Sequence, residues 1–388
     1  MTDFWQRLCA AGDIYKGHYT GRYCVDCEQY LTGDVGECPV HARALEHYAE
    51  DSYFFRLSRY RDRLIGHIEA NPDFVRPETR RNEVLAFLRA QDLTDLSVSR
   101  TSTRWGIEVP GDPEHVLYVW VDALVSYLSA LGPLDAPESA AWWAGAYHFI
   151  GKDILIFHAV VWPAMLLAAG LPLPNAIVVN GWLTITGRKI ARSDPSTMFD
   201  PRIEGGRFGN AALAFCFLPT VGLGSDLDFD REDVVRTLDA DLANNLGNLV
   251  SRLVKFIVRR FEGCVPAERM GELVADARDG AAQIRQALEA FETARAARQL
   301  LGELARINRH LQGSAPWREP DERRVRAAVG EAVGALAVTL NAGWPLLGAL
   351  AEGALAALGS KAAPAWTGEP VVRRVEPAHL PVYARRGA

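Results

Sequence analysis

The spacing of apolar residues changes several times along this chain, and the changes divide it. Residues 1–11 place Phe4, Trp5 and Leu8 at helical spacing. Residues 13–46 hold no sustained period and read as turn-rich. Residues 52–70, SYFFRLSRYRDRLIGHIEA, return to helical spacing, and Asn71-Pro72 ends the run. A second helix is predicted over 76–90. DLSVSRTS (95–102) and HVLYVWVDAL (115–124) read as strands, the second as the continuous apolar run of a buried parallel sheet. A helix near 125–131, a strand at 146–150, a helix at 153–169 and a strand at 176–180 follow. This rhythm is that of a doubly wound α/β domain. From about residue 231 onward the periodicity is helical, again over 321–359, and predicts a helical bundle. The tail, 360–388, is Pro-rich and irregular, with a short apolar stretch near His379–Tyr383 expected to dock it. The fold class expected is therefore α/β followed by all-α.

Bulk properties narrow the setting. A chain of 388 residues has room for two or three domains with real cores. Its net charge of −6 means that any nucleic-acid partner must be met by a local basic surface. The most apolar regions, 159–175 and 332–359, are each broken by Pro, Gly or a charge, so core helices are expected and no membrane partner. The N-terminus carries acids and no long apolar run, unlike a signal peptide. A cytoplasmic location is expected. Cys9, Cys216 and Cys264 are scattered and read as small core residues of a reducing compartment.

The other three cysteines cluster. Cys24-Val-Asp-Cys27, ten residues, then Cys38-Pro-Val-His41 form two short ligand pairs. Three thiolates and one imidazole satisfy tetrahedral Zn²⁺, and Gly33, Gly36 and Pro39 supply tight turns. Four protein ligands leave no open position, so the expected role of this zinc is structural.

The longest signal is Tyr147–Pro201, a Gly-Lys-Asp start, a helix with His and Trp, a Val-rich strand and a Lys/Arg/Gly loop. With AAGDIYKGHYTGRYCVDCEQYLTG, ANPDFVRPETRRNEV, LSVSRTSTRWGIEVPGDPEHVLYVWVDAL and DLANNLGNLVSR, it resembles the methionyl-tRNA synthetase family of class I synthetases over almost the whole chain. The resemblance implies activation of methionine, or a similar amino acid, by ATP with Mg²⁺, and transfer to tRNA bearing a CAU anticodon. It implies a zinc-knuckle connective domain at 1–112 and the C-terminal half of a Rossmann-like core at 113–201. A stem-contact connection would follow at 202–235 and a helical anticodon-binding domain at 236–388.

Site residues follow from the same resemblance. Trp120, Ala123, Leu124, Tyr127, Ile154, His158 and Trp162 would line the amino-acid pocket. An apolar slot with aromatic walls suits a thioether, although spacing alone also fits core aromatics. Leu124 stands where the family usually has Pro. Gly151 and Asp153 would meet the adenosine, where Asp153 also reads as a plain helix cap. Gly187-Arg188-Lys189-Ile190-Ala191-Arg192-Ser193 stands where the family carries a mobile Lys-Met-Ser-Lys-Ser loop. Lys189 and Ser193 match, and Arg192 keeps a charge, so these three and Arg100 are the expected catalytic residues, with Lys189 and Arg192 on the phosphates. Asn248, Arg252 and Trp317 would read the anticodon, with Trp stacking an unpaired base. Around Ala211 and Ala214 the family usually has an Asp and an Arg.

One motif is missing. No two of the nine histidines are three apart, so His-x-Gly-His does not occur. The resulting expectation is a chain lacking the first half of the catalytic core, either completed by a separate chain or belonging to a longer reading frame in which Met1 is internal. Two other readings stay open: an amino-acid-activating paralogue of the hydrazine-forming, cupin-associated type, and a non-catalytic tRNA-binding module.

Overall fold

The computed structural model describes residues 1–24, 29–31, 36–38, 44–90, 92–133, 136–190, 197–267 and 271–359. It divides into two compact units, Met1–Asn180 and Gly181–Ala388. The architecture is α/β followed by all-α.

The first unit opens with the helix Thr2–Ala10, which buries Phe4, Trp5 and Leu8 as their spacing predicts. Residues 13–46, expected to be turns, instead supply the long strand Ile14–Cys24. It pairs antiparallel with Glu46–Phe55 over ten residues, from Ile14 opposite Phe55 to Tyr23 opposite Glu46. That partner takes residues 52–55 away from the expected helix, which begins only at Arg61 and runs to Ala70. Pairing with a sequence-distant strand overrides a local helical spacing here.

Residues 115–124 are likewise divided. A strand, Asp112–Leu117, pairs antiparallel with both Ser99–Arg100 and Glu108–Val109, and the helix Val119–Ser129 follows. A continuous apolar run does not distinguish a buried strand from a buried helix face. In this helix Val121, Leu124, Val125 and Leu128 are buried, while Trp120, Ala123 and Tyr127 lie on the more open side.

The parallel sheet consists of Val75–Arg76, Ala176–Asn180 and Tyr147–Gly151, in that spatial order. The crossover between the last two is the expected helical segment. Pro163 has no N–H to donate and its ring crowds the preceding turn, and the backbone before it widens to a π-helix over Phe157–Val161. The core of this unit packs Phe4, Phe55, Leu64, Ile68, Trp162, Met165 and Ile177 together.

In the second unit a small sheet joins Leu183–Ile185 to Arg188–Lys189 and Leu227–Asp228. Helices then dominate, including Asn248–Phe261, Glu272–Glu289, Thr293–Ser314 and Glu322–Ala342. Asp200, Asp230 and Asp321 each cap a helix by accepting a backbone N–H two residues on. Glu322–Ala342 is long and apolar enough to span a membrane, yet most of it is buried against the other helices. That is how the central helix of a bundle looks. The tail expected to dock through His379–Tyr383 lies outside the described residues.

Candidate functional site

The helix Val119–Ser129, the strand Tyr147–Gly151 and the π-helical segment Phe157–Val161 bring a cluster of rings together within the first unit. The Tyr127 hydroxyl donates to Nε2 of His158 at 2.9 Å, and Nδ1–H of His158 donates to the Ile154 carbonyl at 3.0 Å. These two bonds fix one neutral tautomer. Burial pushes the His158 pKa below its ordinary value, partly opposed by the Ile154 carbonyl, and burial pushes the Tyr127 phenol up. Trp120 stacks on Phe157, with ring centroids 4.4 Å apart, and turns its edge towards His158 at 6.5 Å. The result is an aromatic wall with one uncharged polar pair. Such a site accepts an apolar side chain and penalises a charged one, which loses its water there.

Two of the expected pocket residues stand further back. Trp162 is fully buried, and its indole N–H donates to Nε2 of His148 at 3.2 Å. Leu124 faces the core, so the departure from Pro at this position alters packing behind the helix. Ala123 is exposed beside Trp120 and Tyr127, and Ile154 contributes its carbonyl. His148 was not among the expected residues. Its ring sits 4.4 Å from Tyr127 and 5.9 Å from His158. Burial, and secondarily the proximity of the His158 imidazole, pushes its pKa down to about 4. The signal for it was a lone polar residue among the apolar residues of the strand Tyr147–Gly151.

Gly151 precedes a short 3₁₀ turn, Lys152–Ile154. A Cβ at Gly151 would stand 2.6 Å from Oδ1 of Asp153, so this approach of the carboxylate depends on glycine. Arg100 is buried, with its guanidinium carbon 4.2 Å from the Tyr118 ring centroid.

In the second unit Lys189 lies on a hairpin strand, its Nζ 4.5 Å from the Trp182 ring. The hairpin turn has Thr186 and Gly187 at positive φ, 51° and 75°, and the Asp228 carboxylate accepts from Gly187 N–H and the Thr184 hydroxyl. Those two bonds hold the Asp228 pKa below its usual range. Arg192 and Ser193 lie outside the described residues, as do Cys27 and His41. Cys24 and Cys38 are both buried. Cys24 pairs with Gln29 across one hairpin, and Cys38 adjoins the bridge between Glu37 and Ala44. Among the described residues no group of three or more His, Cys, Asp or Glu is placed to hold a metal.

The helical bundle carries a cavity of about 220 Å³ lined by Arg252, Lys255, Phe256, Arg259, Pro316 and Trp317 among others. The Arg252 guanidinium lies 5.1 Å from the Trp317 ring, and Trp317 remains half exposed. Asn248, one turn before Arg252, is exposed and donates to Asn244. Lys255, Phe256 and Arg259 were missed because they read as ordinary positions of an amphipathic helix. Ala211 and Ala214 sit on the helix Asn210–Phe217.

A family model described as tRNA synthetases class I (M) matches residues 41–254. The methionine–tRNA ligase of Streptomyces coelicolor is 39% identical over 368 residues, covering 88% of this chain and 68% of that one. The chain belongs to the methionyl-tRNA synthetase family. The ligase of Thermotoga maritima is 38% identical, with 82% of this chain matched to 52% of its own length. For that of Caldanaerobacter subterraneus subsp. tengcongensis the figures are 37%, 87% and 54%. The chain thus spans about half the length of these two curated relatives. Among solved structures, Mycobacterium tuberculosis methionyl-tRNA synthetase in complex with methionyl-adenylate superposes with a TM-score of 0.89 at 32% identity, taking in 98% of this chain and 80% of that one.

That extent corrects the expectation of a chain lacking the N-terminal half of its core and relying on a separate chain. The likeness to the synthetase runs over nearly all of this chain and four-fifths of the solved one. Absence of one short motif is a poor measure of how much of a fold is shared.

Proposed function

We propose that this chain activates methionine with ATP to methionyl-adenylate and transfers the methionyl group to tRNA bearing a CAU anticodon. The observation that carries this reading is the neutral Tyr127–His158 pair set against the stacked Trp120 and Phe157. A thioether gains from aromatic contact and loses little on desolvation, so this wall favours methionine over charged or strongly polar side chains. Support also comes from the likeness to a synthetase solved with methionyl-adenylate.

On this reading Gly151 and Asp153 meet the adenosine, and Arg100 serves as an active-site cation. Lys189, Arg192 and Ser193 steady the phosphates of ATP, with Mg²⁺, as charge builds during adenylate formation. Asn248, Arg252 and Trp317 read the anticodon, with Trp317 as the stacking platform and Arg252, Lys255 and Arg259 meeting phosphate or base edges. The domain roles are those expected above: connective (1–112), core (113–201), stem contact (202–235) and anticodon-binding (236–388).

A structural Zn²⁺ held by Cys24, Cys27, Cys38 and His41 fits the two thiols described. Both are buried, and each adjoins a separate antiparallel pairing, Cys24 with Gln29 and Glu37 with Ala44. Purified chain should then contain one zinc, and Cys38→Ser should lose it together with cooperative melting of this region. The reaction itself is tested by charging with radiolabelled methionine. Charging of tRNA bearing CAU, and its collapse when the anticodon is changed, is expected; equal charging of both would sink the anticodon assignment.

A further inference from the structure

Three serines, a histidine and an arginine form a buried polar network inside the antiparallel part of the first unit. Ser52, Ser97, Ser99, His115 and Arg100 are all buried. Nη1 of Arg100 donates to the Ser97 hydroxyl and to the Ser99 carbonyl, both at 2.8 Å. The hydroxyls of Ser97 and Ser52 are 2.7 Å apart, and Ser52 Oγ is 3.0 Å from the Ser99 carbonyl. Ser99 Oγ accepts the Tyr53 N–H at 2.8 Å and stands 3.1 Å from Nδ1 of His115. Nε2 of His115 is 3.8 Å from Asp112, whose carboxylate is held by Lys16 Nζ at 2.9 Å and the Tyr53 hydroxyl at 3.0 Å.

The protons of this network have a consistent direction. Each serine has one O–H to give. With Ser97 Oγ accepting from Arg100, its own proton is available to Ser52. Ser52 can then donate to the Ser99 carbonyl. In the tautomer with Nε2–H facing the Asp112 carboxylate, Nδ1 of His115 accepts from the Ser99 hydroxyl. The chain thus ends on Ser97 and the Ser99 carbonyl presented as acceptors to one guanidinium edge. Burial strengthens such bonds and makes an alternative arrangement costly. Tyr118 covers the guanidinium face. A planar fork held on one edge and one face keeps a single orientation.

We infer that Ser97 is a positioning residue for Arg100, and that Ser52 supports it as the acceptor of its proton. Resting on the proposed reading of Arg100 as an active-site cation, this makes the serine network the device that aims that charge at the anionic part of the substrates. Its role is to hold the orientation in which the charge meets the transition state, so its loss falls on kcat more than on KM.

Methionine-dependent ATP–pyrophosphate exchange and thermal melting of the full chain test this. Ser97→Ala is expected to lower kcat about tenfold with KM for methionine within about twofold, the scale of a lost hydrogen bond to a charged group. Ser97→Thr, which keeps the hydroxyl, should restore most of it, and Ser52→Ala should cost about threefold. Arg100→Ala should lose at least as much as Ser97→Ala. Arg100→Ala impaired with Ser97→Ala equal to the unaltered chain overturns the positioning role and leaves the proposed function standing. A Ser97→Ala loss that Thr does not relieve and that tracks a lowered melting temperature makes the serine merely structural, and overturns it too. Exchange indifferent to Arg100→Ala, or absent from the unaltered chain, overturns the reading beneath it.

Discussion

The aromatic pocket of the first unit and the basic cavity of the second both combine rings with nitrogen-bearing side chains, yet they work by different physics. In the pocket, His148 and His158 are buried and uncharged, and their hydrogen-bond partners are fixed within the protein. In the bundle cavity, the Arg252 guanidinium lies against a half-exposed Trp317. A buried neutral pair discriminates by what it costs a ligand to lose water. An open charged cavity discriminates by stacking and by Coulomb attraction, which salt screens. The first arrangement suits one small side chain held tightly. The second suits a flexible polyanion that presents one base at a time.

The largest effect that could break this contrast is at His158. His158→Ala removes the partner of the Tyr127 hydroxyl and part of the wall, and should reduce methionine-dependent exchange about fiftyfold, on the order of 2–3 kcal/mol. The loss should be the same at low and high salt. Trp317→Ala should weaken tRNA binding by about tenfold or more, from the roughly 1–3 kcal/mol of one stacked base. Arg252→Gln should flatten the salt dependence of that binding, measured by filter retention across a salt series. If the His158 variant is salt-sensitive and the Arg252 variant is not, the two sites have been assigned the wrong physics.

A fourth prediction concerns pH. His148 has a pKa of about 4 in the fold, against an ordinary value near 6.5 when unfolded. A depressed folded pKa makes its contribution to stability complete above the unfolded value. The contribution is lost as pH falls, because the unfolded chain takes up a proton that the folded chain refuses. The melting temperature should therefore drop between about pH 6.5 and 4, and His148→Gln should shrink that slope. An unchanged slope would show that His148 is not the buried neutral group described. The smallest effect is ahead of the bundle, where Asp230→Ala removes the cap of the helix Arg231–Thr237 and should cost about 1 kcal/mol, a shift of a few degrees.

Legibility in the sequence followed the locality of the interactions. The helix Thr2–Ala10 and the bundle helices stood out because their buried residues recur at helical spacing within one segment. The strand Ile14–Cys24 did not, because its partner begins more than twenty residues later and its own composition is rich in polar and small residues. The run 115–124 hid a strand-to-helix change at Tyr118, since both elements are buried there. For the site, Tyr127 and His158 were found through the family resemblance and meet in space. His148 and the serine network were not found, since their roles arise only when strands from separate parts of the chain are laid side by side.

The most direct measurement is ATP–pyrophosphate exchange by this chain with methionine, leucine, norleucine, glutamine and lysine in parallel. A methionine-selective pocket of neutral imidazole and aromatic rings predicts exchange with methionine, weaker exchange with norleucine, and none with lysine. Exchange driven equally well by glutamine or lysine, or by no amino acid at all, would contradict it.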